Sequence, residues 1–410
     1  MSTKNRSSHQ PSLSIIQDST DQIREMIHQQ VRGAALSMIQ GLLLEEVETL
    51  CGKVFSRKGA KGVRRGGSDP GSVVLQGQRV AVKKPRVKKA GKEVELETYA
   101  ALQGYDMLQE RVVKHMMSGV STRDYDGLLD EVSGGMGLKK SSVSKAFVEG
   151  SREALDSING RDLSSYSWIS IMIDGIEFAG SCVIVALGIT TDGKKLILGL
   201  KKGETENWEV CKDLLQDLFD RKLKFDSPIL FVLDGSKALK KAVRKVFGDT
   251  HPIQRCIRHK ERNCLKYLPE QYHGEFRRRW KLLHGMSRFD DAKLEYDRLA
   301  HWLGSKNQEA LASLEEAEME TLTVIQLRAG ALLRKTLAST NPIESAFNRV
   351  RSRSTRVRNW KSGKDQITRW TASTLLEAEK KFRIIKGHKE IQLFLIELKN
   401  FNLQNQLQVA

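Results

Sequence analysis

The sequence predicts an α/β fold: a mixed β-sheet flanked by helices, interrupted by an all-helical insertion and preceded by a mostly helical N-terminal region. Three observations predict it. Near residue 168 the apolar pattern changes from helical spacing to short β-branched runs. From there to about residue 259, runs and amphipathic stretches follow in the order β-β-β-α-β-α-β. From 260 to about 335 strand signals disappear and helical spacing returns.

The elements follow in order. Residues 1–20 are polar and are expected to form a disordered tail. Residues 21–92 form an N-terminal segment of helices and a basic arm. Helical spacing runs from "DQIREMIHQQ" to "LLLEEVETLCGKVF", and residues 53 to 92 then carry thirteen Lys or Arg against one acid, Asp69. Within that arm "SVVLQGQRVAVKKPRV" places β-branched residues about Gly77, as a short hairpin would. Its Lys83, Lys84 and Arg86 suit phosphate contact, although a solvated basic linker has the same composition. Residues 93–158 read as a helix-turn-helix-like domain. "SGVSTRDYDGLLDEV" and "SGGMGLKKSSVSKAFVEG" give helix, glycine turn, helix, with Lys139, Lys140 and Lys145 near the start of the second helix.

The sheet occupies residues 159–262. "SWISIMIDG" ends in Asp174, "SCVIVALGIT" follows, and the "TDGK" turn leads to "KLILGLKKG". "NWEVCKDLLQDLFDRKL" is an amphipathic helix. "ILFVLDG" is a buried-type strand ending in Asp234, "SKALKKAVRKVFG" a further helix, and "PIQRCIRH" a further strand. A helical insertion spans 263–335. The rest of the core spans 336–390, and 391–410 is a C-terminal tail.

The totals bound the function class. The 410 residues carry a formal net charge of +18. A surplus of that size calls for an anionic partner, nucleic acid or membrane. The longest apolar run, near "CVIVALGI", is far too short to cross a bilayer. "MSTKNRSSHQ" lacks a signal peptide's apolar stretch. Five scattered cysteines without a CxxC pair suit a reducing cytoplasm.

The strand order carries the chemistry. In a ribonuclease-H-like sheet the first and fourth strands lie side by side and parallel, so Asp174 and Asp234 would end together. Adjacent carboxylates repel unless a cation lies between them. Oxygen-only ligands suit Mg²⁺, and two such ions about 4 Å apart can activate an attacking oxygen and stabilise a leaving one. Singly, each aspartate reads better as a turn residue before glycine; together, in matching places on one strand order, they read as catalytic.

"TNPIESAFNRVRSRSTRVRNW" places one acid, Glu344, ahead of Arg349, Arg351, Arg353, Arg356 and Arg358. Asn341 as N-cap, Pro342 as first helical residue and Glu344 three beyond the cap form a capping box. The alternative is that Glu344 holds metal while arginines on the helix hold a polyanion beside it. Arg349, Arg353 and Arg356 share one face. Cys256 and His259 are too few for a structural zinc site.

These residues resemble the Mutator family of bacterial insertion-sequence transposases. The likeness rests on "IDG" with Asp174, "FVLDGSKALKKAV" with Asp234, "QRCIRHKERN" with Cys256 and His259, and "TNPIESAFNRVRSRSTR" with Glu344. It implies a DDE transposase in which Asp174, Asp234 and Glu344 bind two Mg²⁺ ions, with Mn²⁺ an expected substitute. It further implies N-terminal binding of the element's ends, a homodimer on DNA, a circular DNA intermediate, and a bacterial, cytoplasmic, nucleoid-associated protein without membrane contact. Cys256 and His259 are family-marked, with no role assigned. The expected reaction is hydrolysis that exposes a 3′-hydroxyl, followed by attack of that hydroxyl on target DNA. Two other readings share the sequence features: another ribonuclease-H-like nuclease, and a transposase-derived DNA-binding regulator without catalysis.

Overall fold

A computed structural model describes residues 13–54, 62–75, 78–103, 106–118, 140–203, 207–223, 225, 227–355, 357, 360 and 365–409. They divide into two compact units, residues 1–150 and 151–410.

In the first unit, α1 (Leu13–Cys51) precedes a three-stranded antiparallel sheet of β1 (Val63–Leu75), β2 (Gln78–Lys89) and β3 (Lys92–Val94). Helices α2 (Glu97–Leu102) and α3 (Asp106–Met117) follow. Ile39, Leu43 and Val47, spaced by four along α1, pack with Val73, Val87 and Leu96. Two expectations change here. The tail expected over 1–20 is helical from Leu13 onward, because helical spacing extends back through the apolar pair Ile15 and Ile16. The glycine-rich stretch before the expected hairpin is strand as well. β1 accommodates its glycines with a register shift between Arg65 and Ser68, and Gly67 takes φ +85°. The first helix expected in "SGVSTRDYDGLLDEV" and the glycine turn after it fall on 119–139, outside the described residues. Helix α4 (Lys140–Asn159) begins in the first unit's span and ends in the second's.

The second unit is built on a five-stranded sheet of β4 (Trp168–Phe178), β5 (Ser181–Thr190), β6 (Lys195–Gly203), β7 (Leu230–Leu233) and β8 (Ile253–Arg255). Its spatial order is β6-β5-β4-β7-β8. β4, β5 and β6 pair antiparallel, whereas β4–β7 and β7–β8 pair parallel. Short turns set the meander: Ala179 and Gly180 both take positive φ in the two-residue turn between β4 and β5, and Gly193 takes φ +81° in the longer turn between β5 and β6. α5 (Trp208–Asp220) and α6 (Lys237–Phe247) supply the parallel crossovers. Asn207 caps α5 by accepting from Val210 N–H at 3.0 Å. The last strand is shorter than "PIQRCIRH" suggests. It ends at Arg255, and Cys256 begins the next helix, α7 (Ile257–Tyr267).

Beyond α7 the chain is helical: α8 (His273–Gly285), α9 (Phe289–Gly304), α10 (Gln308–Glu315), α11 (Thr323–Gln326), α12 (Ala331–Leu337), α13 (Asn341–Ser354), α14 (Gln366–Glu379) and α15 (Ile391–Val409). The stretch taken as a C-terminal tail is thus α15, held by buried Ile391, Phe394 and Leu398.

The period-two alternation of the strands decides which helices face which residues. Ile171, Ile173, Phe231 and Leu233 point to the layer of α5 and α6. Met172, Ile176, Leu230 and Val232 point to the opposite core, shared with α8, α9, α13 and α14. Asp174 lies between Met172 and Ile176 on this second face, so its carboxylate is aimed toward α7 and α13. Among the described residues no helix is long and apolar enough to cross a membrane.

Candidate active site

Sheet register brings the two aspartates together. Ile173 pairs with Leu233 across the parallel strands β4 and β7, and Asp174 and Asp234 are each the next residue. Asp174 Oδ1 accepts its neighbour Gly175 N–H at 2.9 Å, and Asp234 Oδ1 accepts Ser236 N–H at 2.9 Å. Asp234 is thereby oriented by the turn that follows β7, whereas Asp174, expected to end its strand, lies inside β4, which runs on to Phe178 because residues 175–178 continue the pairing with β5.

Glu344 arrives by a different route. Cys256 N–H donates to Leu233 O at 2.7 Å, Ile257 N–H to Ala338 O at 3.0 Å, and Thr340 N–H to Cys256 Sγ at 3.4 Å. These bonds dock the start of α13 on the start of α7, beside the end of β7. His259, one turn into α7, lies with Nε2 3.3 Å from Glu344 Oε1. One ligand atom each from Asp174, His259 and Glu344 lie within 4.8 Å of one another.

The expected capping box is absent. Thr340, not Asn341, is the N-cap, and no side chain caps the helix. The Thr340 hydroxyl faces Cys256 Sγ at 3.5 Å, and Pro342 has no N–H to offer. Glu344 turns instead to cations across from it, His259 and Arg262, the latter with Nη1 3.1 Å from Oε1. Opposite charge outweighs a neutral cap for a half-buried carboxylate.

The electrostatics follow from burial and neighbours. Asp174 is 4% exposed. Desolvation pushes its pKa up to about 6, with Asp234 and Glu344 adding to the rise and His259 and Thr340 opposing it. His259 is pushed up to about 9, mostly by the adjacent Cys256 sulfur and then by Asp174 and Asp234, against its own burial. Burial raises Cys256, but His259 and Thr340 outweigh it and the net shift is down. The imidazolium is thus a counter-charge to these carboxylates, and Arg262 adds a second at Glu344.

The donor set fits a hard divalent cation. Asp174 Oδ2 is buried and has no hydrogen-bond partner, a costly condition that a cation would relieve. Asp174, Asp234 and Glu344 would hold it as oxygen ligands.

The basic residues are placed as follows. Lys83 is exposed. Lys84 pairs with Glu93 at 3.5 Å, and Arg86 pairs with Asp69 and Glu93 at 3.3 and 3.4 Å. Lys139, Arg356 and Arg358 lie outside the described residues; Lys140 begins α4, and its side chain is not described. Lys145 is exposed and pairs with Glu149 at 3.7 Å. On α13, at 3.6 residues per turn, Asn348 and Arg351 fall about 40° and 20° from Glu344, Arg349 about 140° and Arg353 about 180°. Arg351 Nη1 donates to Asn348 Oδ1 at 3.3 Å, and Arg353 Nη1 is buried. So Arg351, not Arg349 or Arg353, shares the Glu344 side. Sequence reasoning did not single out Thr340 or Arg262. Arg262 was legible in outline: it lies one turn beyond His259 on the same basic helix.

The amino-acid sequence of this chain matches known proteins. Residues 6–384 match the family described as Transposase, Mutator family. The chain is 30% identical over 244 residues to the transposase for insertion sequence element IS6120 of Mycolicibacterium smegmatis, covering 58% of this chain and 74% of that one. It is 28% identical over 214 residues to the transposase for insertion sequence element IST2 of Acidithiobacillus ferrooxidans, covering 52% and 71% respectively. The class is therefore that of transposases. Within it, the chain belongs to the Mutator family.

Proposed function

We propose that the protein is a DDE transposase with a ribonuclease-H-like core, which cleaves DNA at the ends of an insertion sequence and joins them to target DNA. The register pair Ile173–Leu233 supports this reading, because it sets Asp174 and Asp234 on adjacent parallel strands, and Glu344 and His259 come within 4.8 Å of Asp174. Two Mg²⁺ ions held by these carboxylates would supply Lewis-acid activation of the attacking oxygen and charge relief at the leaving one. The chain's own part is to hold three oxygen donors in place through backbone bonds and to balance them with His259. Arg351 extends the basic surface on the Glu344 side, where a phosphate backbone would lie. Lys83 and the basic strands of the first unit, with α4, are the proposed element-end contacts, and a homodimer would bring two ends together. No protein nucleophile is required.

The test is cleavage of a duplex carrying the element's end, with Mg²⁺. Asp174→Asn, Asp234→Asn and Glu344→Gln should each lose cleavage and strand transfer while melting as the wild type does and still binding end DNA. Ordinary turnover by any one of them removes that residue from the assignment. Retained turnover by all three would return the protein to another nuclease class. An inactive wild type that still binds ends would make it a regulator.

A further inference from the structure

Arg262 holds Glu344 without belonging to the carboxylate set. Its Nη1 donates to Glu344 Oε1 at 3.1 Å, the same oxygen that His259 Nε2 approaches at 3.3 Å. The Arg262 side chain is 62% exposed, so the rest of its planar fork faces solvent. An ion pair this exposed contributes little to folding. It is a poor anchor for Glu344, whose helix is already docked by backbone bonds through Cys256 and Ala338. Lys266, one further turn along α7, is exposed on the same side, so positive charge continues away from the carboxylates. The nearby Arg258 and Arg277 are both turned to Glu261, at 3.1 and 3.9 Å.

A divalent cation at Glu344 changes this arrangement. One carboxylate oxygen cannot serve a guanidinium, an imidazolium and a divalent ion together, and the three positive charges repel one another. Metal entry therefore releases the most exposed of them, Arg262. A freed guanidinium one side-chain length from the carboxylates matches the geometry of a phosphate, which it can bind through two parallel N–H groups. Resting on the DDE reading above, we infer that Arg262 is a DNA-phosphate ligand held in reserve on Glu344: it competes with the metal in the free protein and grips the strand beside the scissile phosphate once the metal is bound.

The two roles have opposite signs, which makes the inference testable. Binding of Mn²⁺ alone to the full chain, followed by the loss of the free-ion electron paramagnetic resonance signal, reads the first role. Cleavage of end DNA at saturating Mn²⁺ reads the second. Arg262→Ala should bind Mn²⁺ about two- to fivefold more tightly, the range expected from losing an exposed ion pair. The same variant should cut about tenfold or more slowly. Arg262→Lys should recover part of the rate, since a point charge still finds phosphate. If Mn²⁺ binding and cleavage both weaken, Arg262 only orients Glu344 and the inference is wrong. It is equally wrong if neither changes, or if cleavage rises with affinity. Asp174→Asn separates this from the underlying reading: if that variant binds Mn²⁺ as the wild type does, the carboxylate site itself fails, whatever Arg262 does.

Discussion

Removing Glu316 should destabilise the second unit from the side of the helical insertion. Arg255 is 3% exposed and Lys260 is 2% exposed, and Glu316 meets both. Arg255 Nη2 donates to its two carboxylate oxygens at 3.0 and 2.7 Å, and Lys260 Nζ donates to Oε2 at 2.7 Å. Glu320 lies farther from Arg255, at 4.0 Å, and is held by Lys240 at 2.7 Å. Lys260 keeps one bond without Glu316, to Ser313 O at 2.6 Å. Glu316→Ala thus strands two enclosed cations. Breaking a buried pair from one side costs about 3–5 kcal/mol. The Glu316 side chain is itself 34% exposed, which lets water replace part of the lost interaction, so the lower end, about 3 kcal/mol, is expected. For a unit of this size that is a Tm lower by roughly 6–12 °C.

The assay is thermal melting of the full chain, followed by circular dichroism, at pH 7 and again at lower pH. Burial raises the Glu316 pKa, but Lys260 and Arg255 outweigh it and hold it below the usual carboxylate value. Its contribution is therefore present above the unfolded pKa near 4.5 and is lost as pH falls through the lower folded value. Wild type and Glu316→Ala should converge in acid. Glu316→Gln keeps the volume and one acceptor and should lie between them. The effect also reaches the site, because Arg255 Nη2 would be only 2.8 Å from a Cβ built at Gly235, the residue after Asp234. A Tm within about 2 °C of wild type for Glu316→Ala would refute the reasoning, since it would mean that both cations find water or Glu320 at no cost.

Other expectations are smaller in scope. His251 Nδ1 accepts Ile229 N–H at 3.0 Å, and desolvation, aided by Arg244, lowers the ring's pKa to about 4; its contribution, on the order of 3 kcal/mol, is complete above pH 6.5 and lost as pH falls toward 4. His251→Asn keeps an acceptor, and its denaturant midpoint should vary less over that window than the wild type's. Cys256→Ala leaves Thr340 N–H unpaired in a buried site and should cost about 1–2 kcal/mol in denaturant unfolding, with a larger proportional loss of cleavage than of end binding. Arg351→Ala should slow cleavage more than Arg349→Ala does, with neither lowering the Tm, because alanine is the better helix former.

The sheet was readable because its signals are local. Each strand from Trp168 to Leu233 contains a continuous apolar run, although β4 continues past Asp174 to Phe178, and the order of runs fixes which two strands can be parallel neighbours. The placement of Asp174 beside Asp234 followed from that order. What sequence could not carry was register at the start of α13. Asn341 is the better capping residue by type, yet Thr340 takes the position because the chain there is docked on Cys256, a contact across 84 positions. The face of α13 that meets the site was misjudged for the same reason. Arginine spacing groups Arg349, Arg353 and Arg356, but it does not say which face Glu344 points from. The glycine-rich arm misled differently. Its composition is that of a linker, and only pairing with β2 makes it a strand.

The same contacts explain why chemistry and folding should separate in this protein. The insertion leaves the sheet at Cys256 and returns at Ala338, and the two ends are joined by backbone groups: Cys256 N–H to Leu233 O, Ile257 N–H to Ala338 O, and Thr340 N–H to the Cys256 sulfur. Glu344 is positioned by this joint and needs no contact of its own to arrive. Asp174 and Asp234 are likewise positioned by register. Asp174 in particular costs the fold rather than holding it together: burial, and then its neighbours Asp234 and Glu344, raise its pKa against the pull of His259. Neutral replacements should leave the scaffold intact, and a cation bound there would offset the burial of Asp174 without moving a strand.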